Sequence, residues 1–104
     1  MNGYQITFFT QQGRRIHGQP VGEWLIKLAR ELGLQGATLQ AADEGLGHSG
    51  KIHSAHFFEL TDQPIEVVTI VSAEESERLF ARLASEKLRL FYVKVPVEFG
   101  TLGA

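Results

Sequence analysis

The chain has 104 residues, a formal net charge of −2, 43% hydrophobic and 21% charged residues, and no cysteine. That length supports one domain, because two smaller pieces would bury too little apolar surface to stand without cross-links. The composition excludes disulfides, thiolate metal sites and cysteine nucleophiles, and the slight negative charge gives no general attraction for nucleic acid or an acidic membrane surface.

Met1-Asn2-Gly3-Tyr4 runs into a strand-like stretch with no basic or apolar leader, and no apolar run approaches the roughly 18 residues of a membrane span. The expectation is a cytoplasmic protein with one domain over residues 1–104, a core from about Tyr4 to Phe99, and a frayed tail over 100–104.

Tyr4 to Phe8 alternates apolar and polar residues, the period of a half-buried strand. A polar turn follows over Gln11–Arg15. Pro20 suits the first turn of a helix, where its missing N–H costs nothing. Val21, Trp24, Leu25, Leu28, Ala29 and Leu32 then recur at helical spacing on one face. Glu23 and Lys27 stand four apart on the outside, the spacing of an ion pair, and Gly33 is a natural stop.

Ala37, Leu39 and Ala41 alternate with Thr38 and Gln40 as a second strand. Glu44-Gly45-Leu46-Gly47-His48-Ser49-Gly50-Lys51 breaks the pattern with three glycines, Ile52–Leu60 reads as extended, and Thr61–Pro64 turns. Ile65–Val71 is dense in β-branched residues, as a central strand is. Ser72 and Glu75 match a capping box, ahead of a helix with Leu79, Phe80, Leu83 and Ala84 on one face. Leu88–Phe99 reads as the last strand.

The order β-α-β, an extended loop or hairpin, then β-α-β is the split-βαβ, ferredoxin-like α+β pattern, with two helices on one face of an antiparallel sheet. Val67 and Val71 fall on one face of the central strand and Val68 and Ile70 on the other; Phe8 and Phe9 likewise face opposite ways. Two helices cover one side only, so the second apolar face is expected to be buried between subunits.

Three motifs carry a resemblance: His17-Gly18-Gln19-Pro20, Gly33-Leu34-Gln35-Gly36-Ala37-Thr38, and Glu44-Gly45-Leu46-Gly47 followed by Gly50-Lys51-Ile52-His53-Ser54-Ala55. In that order and spacing they resemble a PII-like family of uncharacterised proteins, numbered 190 among domains of unknown function, from about Tyr4 to Glu98. The resemblance implies a ferredoxin-like subunit, a homotrimer, and a long loop after the second strand that contacts a protein target, membrane proteins among the candidates. The base of that loop would help form a cleft between subunits for a small anionic ligand such as an adenine nucleotide. No other cofactor is required. PII proper carries glycine and basic residues before its last strand and arginines after it. This chain has Ala84-Ser85-Glu86-Lys87-Leu88-Arg89 and no later arginine, which favours a ligand of lower charge, such as a nucleoside monophosphate, over a triphosphate.

The candidate ligand residues are Glu44, Gly45, Gly47, Gly50, Lys51 and His53, with Arg15 and His17 near the first helix. Glycines let backbone N–H groups approach a phosphate, and Lys51 adds a point charge; glycines are also simply what turns use. Lys51 is not followed by Ser or Thr, so this is no Walker motif. Arg14, Arg15 and His17 form a basic group at a helix start, suited to an anion or to plain solvation. No metal site is expected: His53 and His56 point to opposite faces of a strand, and neither Cys nor paired carboxylates accompany the four histidines His17, His48, His53 and His56, although Glu44 or Glu59 could join a site across subunits. Trp24, on the apolar stripe, is expected in the core.

A regulatory binding protein is therefore the leading expectation and an enzyme is not. An acylphosphatase-like hydrolase on this fold would need an Arg–Asn pair, and Asn2 is the only asparagine. RNA binding, the other alternative, would call for a basic-aromatic run of which Phe91-Tyr92-Val93-Lys94-Val95 is only an echo.

Overall fold

The computed structural model describes residues 1–41, 44–46, 52–54 and 63–103, with 44–46 and 52–54 described through their backbone. β1 (Asn2–Gln11) alternates as expected. Ile6, Phe8 and Thr10 are buried and Tyr4 half-buried on one face, while Gln5, Thr7 and Phe9 take the other. The turn that follows holds an element with no sequence period. β2 (Arg15–Ile16) and β3 (Gln19–Pro20) form a two-residue hairpin around His17 (φ 50°) and Gly18 (φ 77°). Positive φ at both central residues is the type I′ geometry, whose twist matches paired strands.

α1 (Val21–Glu31) follows at once. Pro20 is its N-cap rather than a residue of its first turn, because the Pro20 backbone is extended at ψ 138°. The apolar stripe is buried through Val21, Trp24, Leu25, Leu28 and Ala29, each large side chain contributing about 1.5–3 kcal/mol. Gly33 at φ 73° ends the helix: its N–H donates to Arg30 O and that of Leu34 to Ala29 O, a Schellman closure. The Glu23–Lys27 ion pair does not form. Lys27 Nζ donates instead to Gln19 Oε1 at 2.8 Å, tying the helix to the hairpin.

β4 (Ala37–Ala41) lies at one edge of a four-stranded sheet. β5 (Glu44–Leu46) pairs with β6 (Ile52–Ser54), so the first part of the glycine-rich segment is strand rather than turn, with Gly45 opposite His53. Extension through Ala55–Leu60, and the turn at Thr61–Asp62, lie outside the described residues. β7 (Pro64–Ser72) sits between β4 and β1, and β8 (Phe91–Glu98) forms the other edge. All three pairings, β4–β7, β7–β1 and β1–β8, are antiparallel. That order, with both helices on one face, is the ferredoxin-like arrangement.

α2 (Ala73–Ala84) opens on Ser72, whose side chain accepts from Glu75 N while Glu75 Oε1 accepts from Ser72 N, completing the capping box. Leu79 is buried and Phe80 and Leu83 half-buried, but Ala84 is exposed. The last strand starts at Phe91, later than Leu88: the alternating stretch Leu88-Arg89-Leu90 is a link without regular structure, and Leu88 and Leu90 pack on the core. Ser76, at 1% exposure, has no hydrogen-bond partner for its Oγ. Replacing it by alanine removes a desolvated hydroxyl and favours the helix. Ser76→Ala is thus expected to raise stability by about 1 kcal/mol, read as a higher urea midpoint at unchanged slope; a lower midpoint would show that the hydroxyl is needed.

The face of the sheet away from the helices is apolar and open. Ile70 (42%), Phe91 (66%), Val93 (42%) and Val95 (47%) stand exposed on it beside Val68 and Phe9. A groove of ≈ 880 Å³ crosses its lower part between Thr38, Val68 and Ile70 and the tail residues Phe99–Thr101. None of the described helices is long and apolar enough to cross a membrane.

Candidate functional site

Strand direction gathers the sequence-flagged residues at one end of the sheet. β1 ends where β7 begins, with Gln11 opposite Pro64 and Gln12 N–H donating to Gln63 O at 2.9 Å. β4 ends there too, with Ala41 opposite Ile65, and β5 begins three residues later in the chain, at Glu44. α1 begins and α2 ends at the same end, because each antiparallel connection reverses the chain. Arg15 and His17 on one hairpin and Glu44, Gly45 and His53 on the other therefore share this end. Gly47, Gly50 and Lys51, as well as His48 and His56, lie outside the described residues.

Arg15 and His17 are not held as a bare anion site. Arg15 Nη2 donates to Gly18 O at 2.6 Å, closing its own hairpin. The guanidinium of Arg14 donates to the carbonyl of Arg89 in the α2–β8 link. His17 Nε2 lies 2.9 Å from Glu86 Oε2, and Arg82 Nη1 donates to Glu86 Oε1 at 2.6 Å. Beneath these groups is Trp24, 7% exposed, with the His17 ring centroid 6.1 Å and Arg82 Cζ 5.8 Å from its ring centroid. Trp24 is thus core, as expected, and also the platform for a charged cluster. Sequence reasoning missed Glu86 as a centre. Its spacing from Arg82 could have suggested an i,i+4 pair, but nothing local links it to His17, 69 residues away.

The hydrogen bond from Arg82, then that from His17, holds the Glu86 carboxyl below its ordinary value of 4.5. A lowered native pKa means that the charged form is favoured in the fold. Its contribution is complete above the unfolded-state value and disappears as pH falls from there through the native value. The stability difference between the wild type and Glu86→Gln is accordingly expected to shrink below about pH 4.5, measured by urea unfolding across pH. A difference that persisted unchanged into acid would show that the carboxylate contributes through something other than charge.

Comparison with known proteins places this geometry. The family DUF190, described as Uncharacterized ACR, COG1993, matches residues 3–92. A UPF0166 protein of Aquifex aeolicus (strain VF5) is 32% identical over 75 residues, covering 72% of this chain and 71% of that protein. A crystal structure from Thermus thermophilus, described as a PII-like signaling protein, aligns with a TM-score of 0.67 at 21% identity over 92% of this chain and 87% of the other. CPII from Thiomonas intermedia K12, bound to ADP, AMP and acetate, gives 0.63 at 16% identity over 96% and 90% of the two chains. The same protein bound to ADP, AMP and bicarbonate, where it is called a nitrogen regulatory PII-like protein, gives 0.57 at 17% over 93% and 89%. At such identities the structural likeness is one of fold. With the family matched from Gly3 to Tyr92 and the strands and helices arranged as in PII-like proteins, the chain belongs to DUF190 and has a PII-like, ferredoxin-like fold.

Proposed function

We propose that the protein is a PII-like regulatory module: a homotrimer that binds a small anionic metabolite, an adenine nucleotide first among them, in clefts between subunits. The β5–β6 hairpin is the part that answers the ligand and engages a partner protein. The observation that carries this reading is the convergence of both hairpins and the α2–β8 link at one end of a PII-like sheet, in a fold whose structural neighbour CPII is bound to ADP and AMP. The open apolar face supports assembly, since a monomer would leave Ile70, Phe91, Val93 and Val95 in water together. Residues Glu44, Gly45 and His53 belong to the hairpin itself, and Gly47, Gly50 and Lys51 to the chain between its strands.

Ligand binding without turnover is the preferred reading over hydrolysis. Asn2 opens β1 and Arg14 and Arg15 follow its other end, so a ten-residue strand of about 30 Å separates the Arg–Asn combination an acylphosphatase would need. Amide hydrogen exchange tests the proposal: addition of AMP or ADP should slow exchange across residues 44–54, an ordering of the hairpin. Unchanged exchange at millimolar AMP, ADP and ATP would remove the hairpin from the mechanism.

A further inference from the structure

We propose that His17 and Arg82, standing on the Trp24 ring, form a binding site for a phosphate group, and that Glu86 occupies this site as an internal competitor. The two donors and their occupant differ in how they are held. Trp24 is fixed in the core of α1, Arg82 projects from the last turn of α2, and His17 is locked at the tip of a type I′ turn with φ 50°. The His17 ring lies 6.1 Å and Arg82 Cζ 5.8 Å from the indole centroid, and Arg82 Nη1 has a second partner in Ser85 Oγ at 3.1 Å. Glu86 comes from the α2–β8 link, which has no regular structure from Glu86 to Leu90. The Glu86 N–H still donates to Leu83 O at 3.0 Å, so the carboxylate withdraws by rotation of its own side chain, which leaves the two donors in place.

The geometry of the occupant describes the ligand. Each Glu86 oxygen takes one donor, Oε2 at 2.9 Å from His17 Nε2 and Oε1 at 2.6 Å from Arg82 Nη1. The Glu86 side chain is only 13% exposed, whereas those of His17 and Arg82 are 57% and 39% exposed, so the donors face both the carboxylate and solvent. A ligand must outcompete a tethered carboxylate, whose effective concentration is high. A phosphate monoester does so with more charge, about −1.5 to −2, and three acceptor oxygens rather than two. Free acetate, with the charge of Glu86 and none of its tether, does not.

The site stands apart from the nucleotide reading, because inorganic phosphate is a sufficient probe. Trp24 is the only tryptophan, and its emission reports on the cradle directly. Phosphate is titrated against the wild type, Glu86→Gln and Glu86→Gln/Arg82→Gln at constant ionic strength, with circular dichroism confirming the fold; Glu86→Ser is the second variant should Glu86→Gln unfold. The expected result is saturation of the Glu86 variant at a phosphate concentration at least tenfold below that of the wild type, with no saturable response in the double variant or with acetate. Equal midpoints for wild type and variant, no saturation in the variant, an undiminished response in the double variant, or an equal response to acetate would each overturn the proposal.

Discussion

Aspartate at both Ile70 and Val95 is expected to turn the proposed trimer into single chains that remain folded. The two residues flank Gln5 of β1, one on β7 and the other on β8, and so stand in one row across the open face. At 42% and 47% exposure in the isolated subunit, they do little for the core beneath. A charge at either position stays hydrated in a lone chain and costs about 1 kcal/mol there, from poor strand propensity and lost partial burial. In an assembly that covers this face, each aspartate would be buried without a partner, at several kcal/mol apiece. The loss of further apolar burial, about 1 kcal/mol per side chain because more than half of each is already covered in the subunit, acts in the same direction. Sedimentation should show a wild type of three chains and a variant of 11.6 kDa, with closely similar far-ultraviolet circular dichroism. A wild type that already sediments as one chain, or a variant that keeps the assembled mass, would mean that another surface joins the subunits.

Gly3→Ala is expected to destabilise the subunit itself, by about 3 kcal/mol or more. A Cβ on Gly3 would lie 2.0 Å from Val71 O and 2.9 Å from Val71 C, and 2.8 Å from Cε1 of Phe99. The aromatic ring could turn aside. The Val71 carbonyl cannot, because Val71 is fully buried in β7 and its strand is paired with β1 and packed under the helices. Relief requires the two central strands to separate where Gly3 faces Ser72, the capping residue of α2, so the helix start is disturbed as well. Gly22 makes a useful contrast. A Cβ there would meet Leu39 Cδ1 at 2.8 Å and Ile65 Cγ2 at 3.2 Å, but Leu39 is 39% exposed and its side chain has room to move. Urea unfolding of Gly3→Ala and Gly22→Ala should therefore separate widely. Equal losses would show that the sheet yields more readily at Gly3 than its packing suggests.

The elements best read from sequence are those whose signal is local and repeated. The α1 stripe recurs over several turns and ends on a glycine whose φ of 73° suits the Schellman closure. Ser72 and Glu75 form both hydrogen bonds of their box. The two-faced strands gave the open face correctly, Phe8 inward and Phe9 outward, with Val68 and Ile70 opposite Val67 and Val71. Short or compensated features were hidden. Two residues of β2 and two of β3 show no period, and His17 in the left-handed region carries no compositional warning. Leu88-Arg89-Leu90 alternates like a strand, yet its carbonyl at Arg89 accepts from Arg14 rather than joining the sheet. Gly45 reads as a turn residue but pairs with His53. The Glu86 cluster joins a hairpin, two helices and a link that are adjacent only after folding, so no stretch of sequence announces it.

Calorimetric titration of the assembled wild type with AMP and ADP bears most directly on the proposed regulatory role. The expected result is saturable binding tighter than about millimolar, approaching one nucleotide per chain, as three equivalent intersubunit clefts require. Protein that is trimeric by mass, yet gives no saturable heat with AMP, ADP or ATP up to millimolar concentrations, would contradict it.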